Sequence, residues 1–365
     1  MTSPTDILLD SDPFDFSTES SKLFINSFRE TAEHHYKNSP YVKYIWDQIK
    51  LKPSDIKTER DLIKAPFIMV NLFKTHNFLS CPKTDIALTL GSSGTTGQRS
   101  VMHLNQESLT RVKALAYTIH KKLGITSPKK YNYLCFTYDP KVADDLGTAF
   151  TDELLTSFTD HNEIYYTFQF DAKINDFKMN ENEIVQKLVE FSGSEYPLRI
   201  LGFPAFLYKI IKDFNLTLSL PKDSWLQTGG GWKSHAGDEI PKEEFREFIE
   251  ARLGIKKENI RDLFGMVEHG IPYVDNEEGY LAIPNFARVY IRDPKTLEVL
   301  EDGQRGLIQF MCTYNTSYPA FNILSTDWGV VTTNSKGNRF LRIEGRAGTT
   351  KHKGCALKAL ELIKD

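Results

Sequence analysis

Four cysteines in 365 residues are few, and no two stand at the Cys-x-x-Cys spacing of a zinc or redox pair. Single scattered thiols suit a reducing compartment, so a cytoplasmic location is expected. No run approaches the roughly 20 apolar residues of a membrane span. The acidic opening MTSPTDILLDSDPFDFSTES has no basic stretch ahead of an apolar one, so no secretory signal is expected. A charge excess is also lacking. The 45 Lys+Arg and 48 Asp+Glu leave a net charge of −3, which argues against nucleic acid as the main partner. The 22 Gly and 16 Pro are dispersed, which excludes collagen-like or low-complexity architecture. What is present is globular: 40% hydrophobic, 25% charged and 12% aromatic residues. At roughly 150 residues per domain, the length suggests about two domains.

Apolar and aromatic residues recur at helical spacing over 21–50, broken at Asn38-Ser39-Pro40. A short capped helix is expected over 54–64, with Thr58 and Asp61 as its capping box. Residues 1–80 are therefore expected to form a mainly helical segment. From Thr84 the texture changes. DIALTL reads as a strand, 105–123 as a helix, and YNYLCFTY (131–138) as a buried strand. Helices and strands then alternate to IRDLFGMVE, and after residue 280 short strands dominate. The alternation predicts an α/β fold with parallel pairing, and the later strands a β-rich layer.

Several segments carry candidate chemistry. Gly91-Ser92-Ser93-Gly94-Thr95-Thr96-Gly97 offers many backbone N–H and hydroxyl donors, as a polyphosphate needs. It is neither a Walker loop nor GxGxxG. A strand before it and a helix soon after favour a phosphate loop over a solvated linker. In Phe264-Gly265-Met266-Val267-Glu268, a lone carboxylate after an aromatic-glycine turn suits Mg2+ on a nucleotide. Gly229-Gly230-Gly231 could lie flat against adenine, and Asp327 in Ser-Thr-Asp-Trp-Gly could accept from ribose hydroxyls. Arg346 could reach ribose or phosphate. A surface Glu, a flexible turn and an Asp in a turn are the plain alternatives. His235 and His269 are candidates for the site wall or for plain polar residues. Cys355 follows Lys351-His352-Lys353-Gly354, a setting that favours the thiolate.

In this order, these segments resemble the adenylate-forming superfamily of acyl-CoA synthetases, luciferases and adenylation domains. His35–Tyr41 and Lys52–Phe67 resemble phenylacetate–CoA ligases. Asn71–Thr75, GGGWK at 229–233 and the total length are more similar to the acyl-protein synthetases of bacterial luminescence. The resemblance covers roughly residues 30–355. It implies a large α/β domain over 81–345, with 346–365 as hinge remnant and tail. The usual mobile C-terminal domain is expected to be absent, because about twenty residues after Arg346 are too few for a core. It implies ATP and Mg2+ as cofactors. Ser92, Ser93, Gly94, Thr95, Thr96 and Gly97 would hold phosphates, Gly229–Gly231 adenine, Glu268 the metal and Asp327 ribose. Arg346 matches the arginine before the hinge. Cys355 matches the acyl-accepting cysteine of the luminescence enzymes. The sequence departs from the superfamily in lacking a lysine soon after Gly97, where Gln98-Arg99-Ser100 stand, and an acidic hinge residue, where Gly348 and Thr349 stand.

The expected activity is therefore ATP-dependent activation of a carboxylic acid, taken to be a fatty acid, to acyl-AMP. Transfer to a thiol follows, either Cys355 and then an acyl-accepting or reductase partner protein, or external CoA or a carrier. A degenerate adenylate-binding module is the rival outside catalysis.

Overall fold

The computed structural model describes residues 3–91, 100–139, 147–171, 176–232 and 239–346. Helices α1 (Pro4–Leu9), α2 (Thr18–Asn38), α3 (Pro40–Gln48) and α4 (Glu59–Leu62) open the chain. Pro40 starts α3 directly after α2, and the Thr58–Asp61 capping box opens α4, which is shorter than the expected 54–64. The buried stripe Phe24, Phe28, Ala32 and His35 of α2 packs on Phe321, whose ring stacks on His35 at 4.9 Å. His35 is fully buried between Ser80 Oγ (2.8 Å) and the Asn315 carbonyl (2.9 Å), and burial lowers its pKa to about 3.

The strands are β1 (Ile68–Met69), β2 (Ile86–Gly91), β3 (Val101–Asn105), β4 (Lys130–Tyr138), β5 (Asp160–Asp171), β6 (Asp176–Met179), β7 (Leu198–Gly202) and β8 (Trp225–Gly229). They continue as β9 (Ile260–Phe264), β10 (Tyr273–Asp275), β11 (Leu281–Ala282), β12 (Ala287–Arg292), β13 (Arg305–Cys312), β14 (Asn322–Thr333) and β15 (Arg339–Arg346). The remaining helices are α5 (Gln106–Lys122), α6 (Gly147–Thr156), α7 (Glu181–Ser192), α8 (Pro204–Asp213) and α9 (Lys242–Leu253).

One sheet runs β12-β13-β14-β15-β11-β10-β9-β8-β7-β4-β5-β6, with β1 beside β14. Strands β5-β4-β7-β8-β9 are parallel, joined through helices, as expected for an α/β sheet. The strand β4 is buried on both faces. Tyr131, Tyr133 and Cys135 join the core beneath α5, while Leu134, Phe136 and Tyr138 join the core beneath α7, α8 and α9. From β10 onward neighbours along this row pair antiparallel, while β1 lies parallel to β14. These late strands extend the same hydrogen-bonded sheet.

The strands β2 and β3 form a separate antiparallel pair. The alternation of buried Met102 and Leu104 with half-exposed neighbours makes β3 a strand, where the sequence reading had passed straight to a helix. The Gly/Ser/Thr segment therefore joins two hairpin strands, and no helix starts at its end.

Candidate active site

In an open α/β sheet, the carboxyl ends of parallel strands are where ligands meet the fold. Here Gly229 ends β8 and Phe264 ends the adjacent β9. Gly230 has φ 77°, and a Cβ there would lie 2.5 Å from the Phe203 ring. Glycine is required by both backbone and ring, and the turn lies flat against Phe203. Trp232 beyond it is edge-on to Tyr208 at 5.2 Å and to Phe245 at 5.7 Å. The two strand ends are clamped together. Thr228 Oγ1 donates to Asp262 Oδ1 (3.0 Å), and the Asp262 N–H donates to Asp275 Oδ2 (2.7 Å). Lys242 Nζ closes the cluster at 2.6 Å from buried Asp275, whose carboxyl pKa burial raises and Lys242 counters.

Glu268 stands in the turn after β9. The turn is closed by the His269 and Gly270 N–H groups, which donate to the Met266 carbonyl at 3.1 and 2.9 Å. Gly270 has φ 75°, and a Cβ would sit 2.0 Å from the Tyr314 hydroxyl, so the turn beds directly on that ring. The neighbours Glu268 and His269 do different things. His269 is a core residue, stacked on Tyr273 with Nε2 2.8 Å from its hydroxyl, and burial lowers its pKa to about 3. That placement removes His269 from the wall candidates. Glu268 is only 7% exposed as a residue, and no hydrogen bond or ion pair to its carboxylate is found among the described residues. The carboxylate is free to take a hard cation, so the residue fits the Mg2+ that the sequence implies.

Asp327 and Arg346 face each other across β14 and β15, with Arg346 Nε donating to Asp327 Oδ1 at 3.0 Å. The register slips between Asp327 and Gly329, placing an extra residue on β15. Gly345 in that bulge has φ 103°, a conformation that re-aims Arg346 across from the aspartate. Gly329 is structural: a Cβ would lie 2.6 Å from Ile308 Cδ1 and 2.7 Å from the Arg342 carbonyl. Glycine at this motif position is explained by packing alone.

The structure therefore brings the glycine turn and the Glu268 turn onto adjacent strands, and pairs Asp327 with Arg346. Among the described residues, no hydrogen bond or ion pair links these two groups. Ser92–Gly97, His235 and Cys355 lie outside the described residues. Phe203, which backs Gly230, comes from the 202–206 stretch that the sequence offers as a pocket wall.

The fold is that of an adenylate-forming ligase. Residues covering 92% of this chain superpose on 69% of a 2-hydroxyisobutyryl-CoA ligase in complex with R3-HIB-AMP, with a TM-score of 0.68 and 15% identity. The chain belongs to the acyl-protein synthetase (LuxE) family, whose model matches residues 1–363. It is 25% identical to the long-chain-fatty-acid–luciferin-component ligase of Aliivibrio fischeri, over 98% of this chain and 93% of that protein. It is 23% identical to the same-named ligase of Vibrio harveyi, over 96% and 91%. Similarity to the phenylacetate-coenzyme A ligase of Pseudomonas putida is 24% over 83% of this chain and 64% of that one. As a member of this family the chain is a ligase that uses ATP and Mg2+, passes through an acyl-adenylate and delivers the acyl group to a thiol. No described helix is long and apolar enough to cross a membrane.

Proposed function

We propose that this chain activates a fatty acid and passes it first to Cys355 and then to an acyl-accepting partner protein. A carboxylate oxygen of the acid attacks the α-phosphorus of ATP, pyrophosphate leaves, and the acyl-AMP anhydride remains. No general base is needed, because the acid is already ionised at neutral pH. The Cys355 thiolate then attacks the acyl carbonyl, AMP leaves, and a thioester forms.

The chain's part is positioning and electrostatics. Gly229–Gly231 present bare backbone beside Phe203 for the adenine. Asp327 accepts from ribose, releasing or sharing Arg346. Ser92, Ser93, Gly94, Thr95, Thr96 and Gly97 hold the phosphates, and Glu268 holds Mg2+, which neutralises charge on them. The observation that carries this reading is Glu268 in the turn after β9, beside the glycine turn that ends β8, with no hydrogen bond or ion pair to its carboxylate among the described residues. The names of the relatives support the fatty acid and the protein acceptor.

The test is labelling with radioactive fatty acid and ATP. Wild-type protein should acquire a hydroxylamine-labile label. Cys355→Ser should keep ATP–pyrophosphate exchange and lose the label by orders of magnitude. Exchange with persistent labelling in Cys355→Ser, or with no labelling of wild type, would assign the acyl group to an external thiol such as CoA.

A further inference from the structure

The clamp between β8 and β9 ends in an ion pair that the proposed mechanism leaves unused. Lys242 opens α9, and its Nζ stands 2.7 Å from Oδ1 and 2.6 Å from Oδ2 of Asp275. The Asp275 side chain is wholly buried, while that of Lys242 is 41% exposed. A buried ion pair is weak evidence for stability, because desolvation of the charges offsets their attraction. The helix gains nothing from it either. Glu243 and Glu244 in its first turn suit the positive end of the dipole, and a lysine there opposes it. The pair therefore serves what Asp275 holds.

Asp275 holds β9. In the β9–β10 register Tyr273 faces Phe264 and Val274 faces Leu263, so Asp275 comes next, level with Asp262. There the Asp275 carboxylate takes the Asp262 N–H at 2.7 Å. The Asp262 carboxylate in turn accepts from Thr228 Oγ1 at 3.0 Å, and Thr228 leads directly into Gly229. Lys242, Asp275, Asp262 and Thr228 thus run in series from α9 to the glycine turn. Past Asp262, β9 continues through Phe264 to the Glu268 turn. Other charges also face Asp275. Asp262 Oδ2 lies 4.0 Å from Lys242 Nζ, and Arg261 Nη1 donates to the Asp275 carbonyl at 2.9 Å, with Glu277 3.9 Å from Arg261 Nη2. Among the described residues, Lys242 is the one cation paired with the Asp275 carboxylate.

We infer that Lys242 is a positioning residue for adenylation, holding through Asp275 and Asp262 the glycine turn at the end of β8 against the strand end that leads to Glu268. The inference rests on the proposed roles of those two turns and adds the group that fixes one against the other. Lys242 itself touches no reacting atom. An adenine seat and a metal ligand act on one nucleotide, so an error in their relative placement is felt in the transition state.

The experiment is ATP–pyrophosphate exchange by the full chain carrying Lys242→Met or Lys242→Arg, with ATP varied, at a temperature where calorimetry shows each protein folded. In Lys242→Met, kcat/KM for ATP should fall about ten- to a hundredfold, the scale of a small misplacement. Lys242→Arg returns a cation to the carboxylate and should recover most of that loss. The pH profile supplies a readout that lost packing would not move. Burial raises the Asp275 pKa and Lys242 counters it, so the acid limb of the kcat/KM profile should lie at higher pH in Lys242→Met than in wild type. Unchanged kcat/KM in folded Lys242→Met, an equal loss in Lys242→Arg, or an acid limb that stays in place would overturn the assignment and leave the roles of the two turns standing. Wild-type protein that exchanges pyrophosphate with no acid would overturn those roles, and this inference with them.

Discussion

Glu268 and Asp327 are both nearly buried carboxylates, yet their surroundings are opposite. Asp327 lies on a long antiparallel pair and is met by Arg346 at 3.0 Å through a glycine bulge. Glu268 lies in a turn at the end of a parallel strand and meets no cation among the described residues. The first is a preformed pair whose partner a ligand could share. On the proposed reading, the second is a carboxylate left open for a cation that the nucleotide brings.

The sharpest way to break the contrast is Glu268→Gln. It should lower pyrophosphate exchange by roughly a hundred- to a thousandfold, the scale of losing one electrostatic stabiliser. Melting temperature should hold or rise, since no partner is left unpaired. A loss of stability together with full exchange would make Glu268 a structural residue. Asp327→Asn should have a smaller effect, of roughly tenfold to a hundredfold, and mostly on the KM for ATP, because ribose is contacted in ground and transition states alike. An unchanged KM for ATP would detach Asp327 from the nucleotide. Gly230→Ala forces a Cβ into Phe203 and strains a positive φ, so differential scanning calorimetry should show a loss of about 1–2 kcal/mol, with weaker nucleotide binding.

Asp152 supplies a third buried carboxylate for comparison. Burial raises its pKa from 3.8 to about 7, against a hydrogen bond from Thr137. The folded state therefore binds this proton more tightly than the unfolded chain does, and stability should fall as pH rises between about 4 and about 7. Asp152→Asn should remove that slope. Its melting temperature relative to wild type should climb by a few degrees from pH 4 to pH 8. A constant difference across that range would show that Asp152 does not titrate there.

Much of this was legible in the sequence because the elements concerned are locally encoded. The continuous apolar run of β4, the Pro40 break and the Gly254 stop at the end of α9 each mark their own place. The glycine turn and Glu268 were legible because each ends a strand in an irregular motif. The strand β3 was not, since five residues of mild alternation stood directly before a strong helix signal. The pairing of Arg346 with Asp327 depends on a register slip that no local pattern announces. His269 shows the converse: next to Glu268 in sequence, it is turned into the core by Tyr273 and Phe310.

The central claim is that the Glu268 edge makes acyl-adenylate from ATP and a fatty acid. ATP–pyrophosphate exchange by the purified full chain, across acids from short aryl to long-chain fatty, tests it most directly. The account predicts exchange that needs both a fatty acid and Mg2+ and that collapses in Glu268→Gln while the variant stays folded. Exchange at the wild-type rate in folded Glu268→Gln, or none from wild type with any acid, would contradict it.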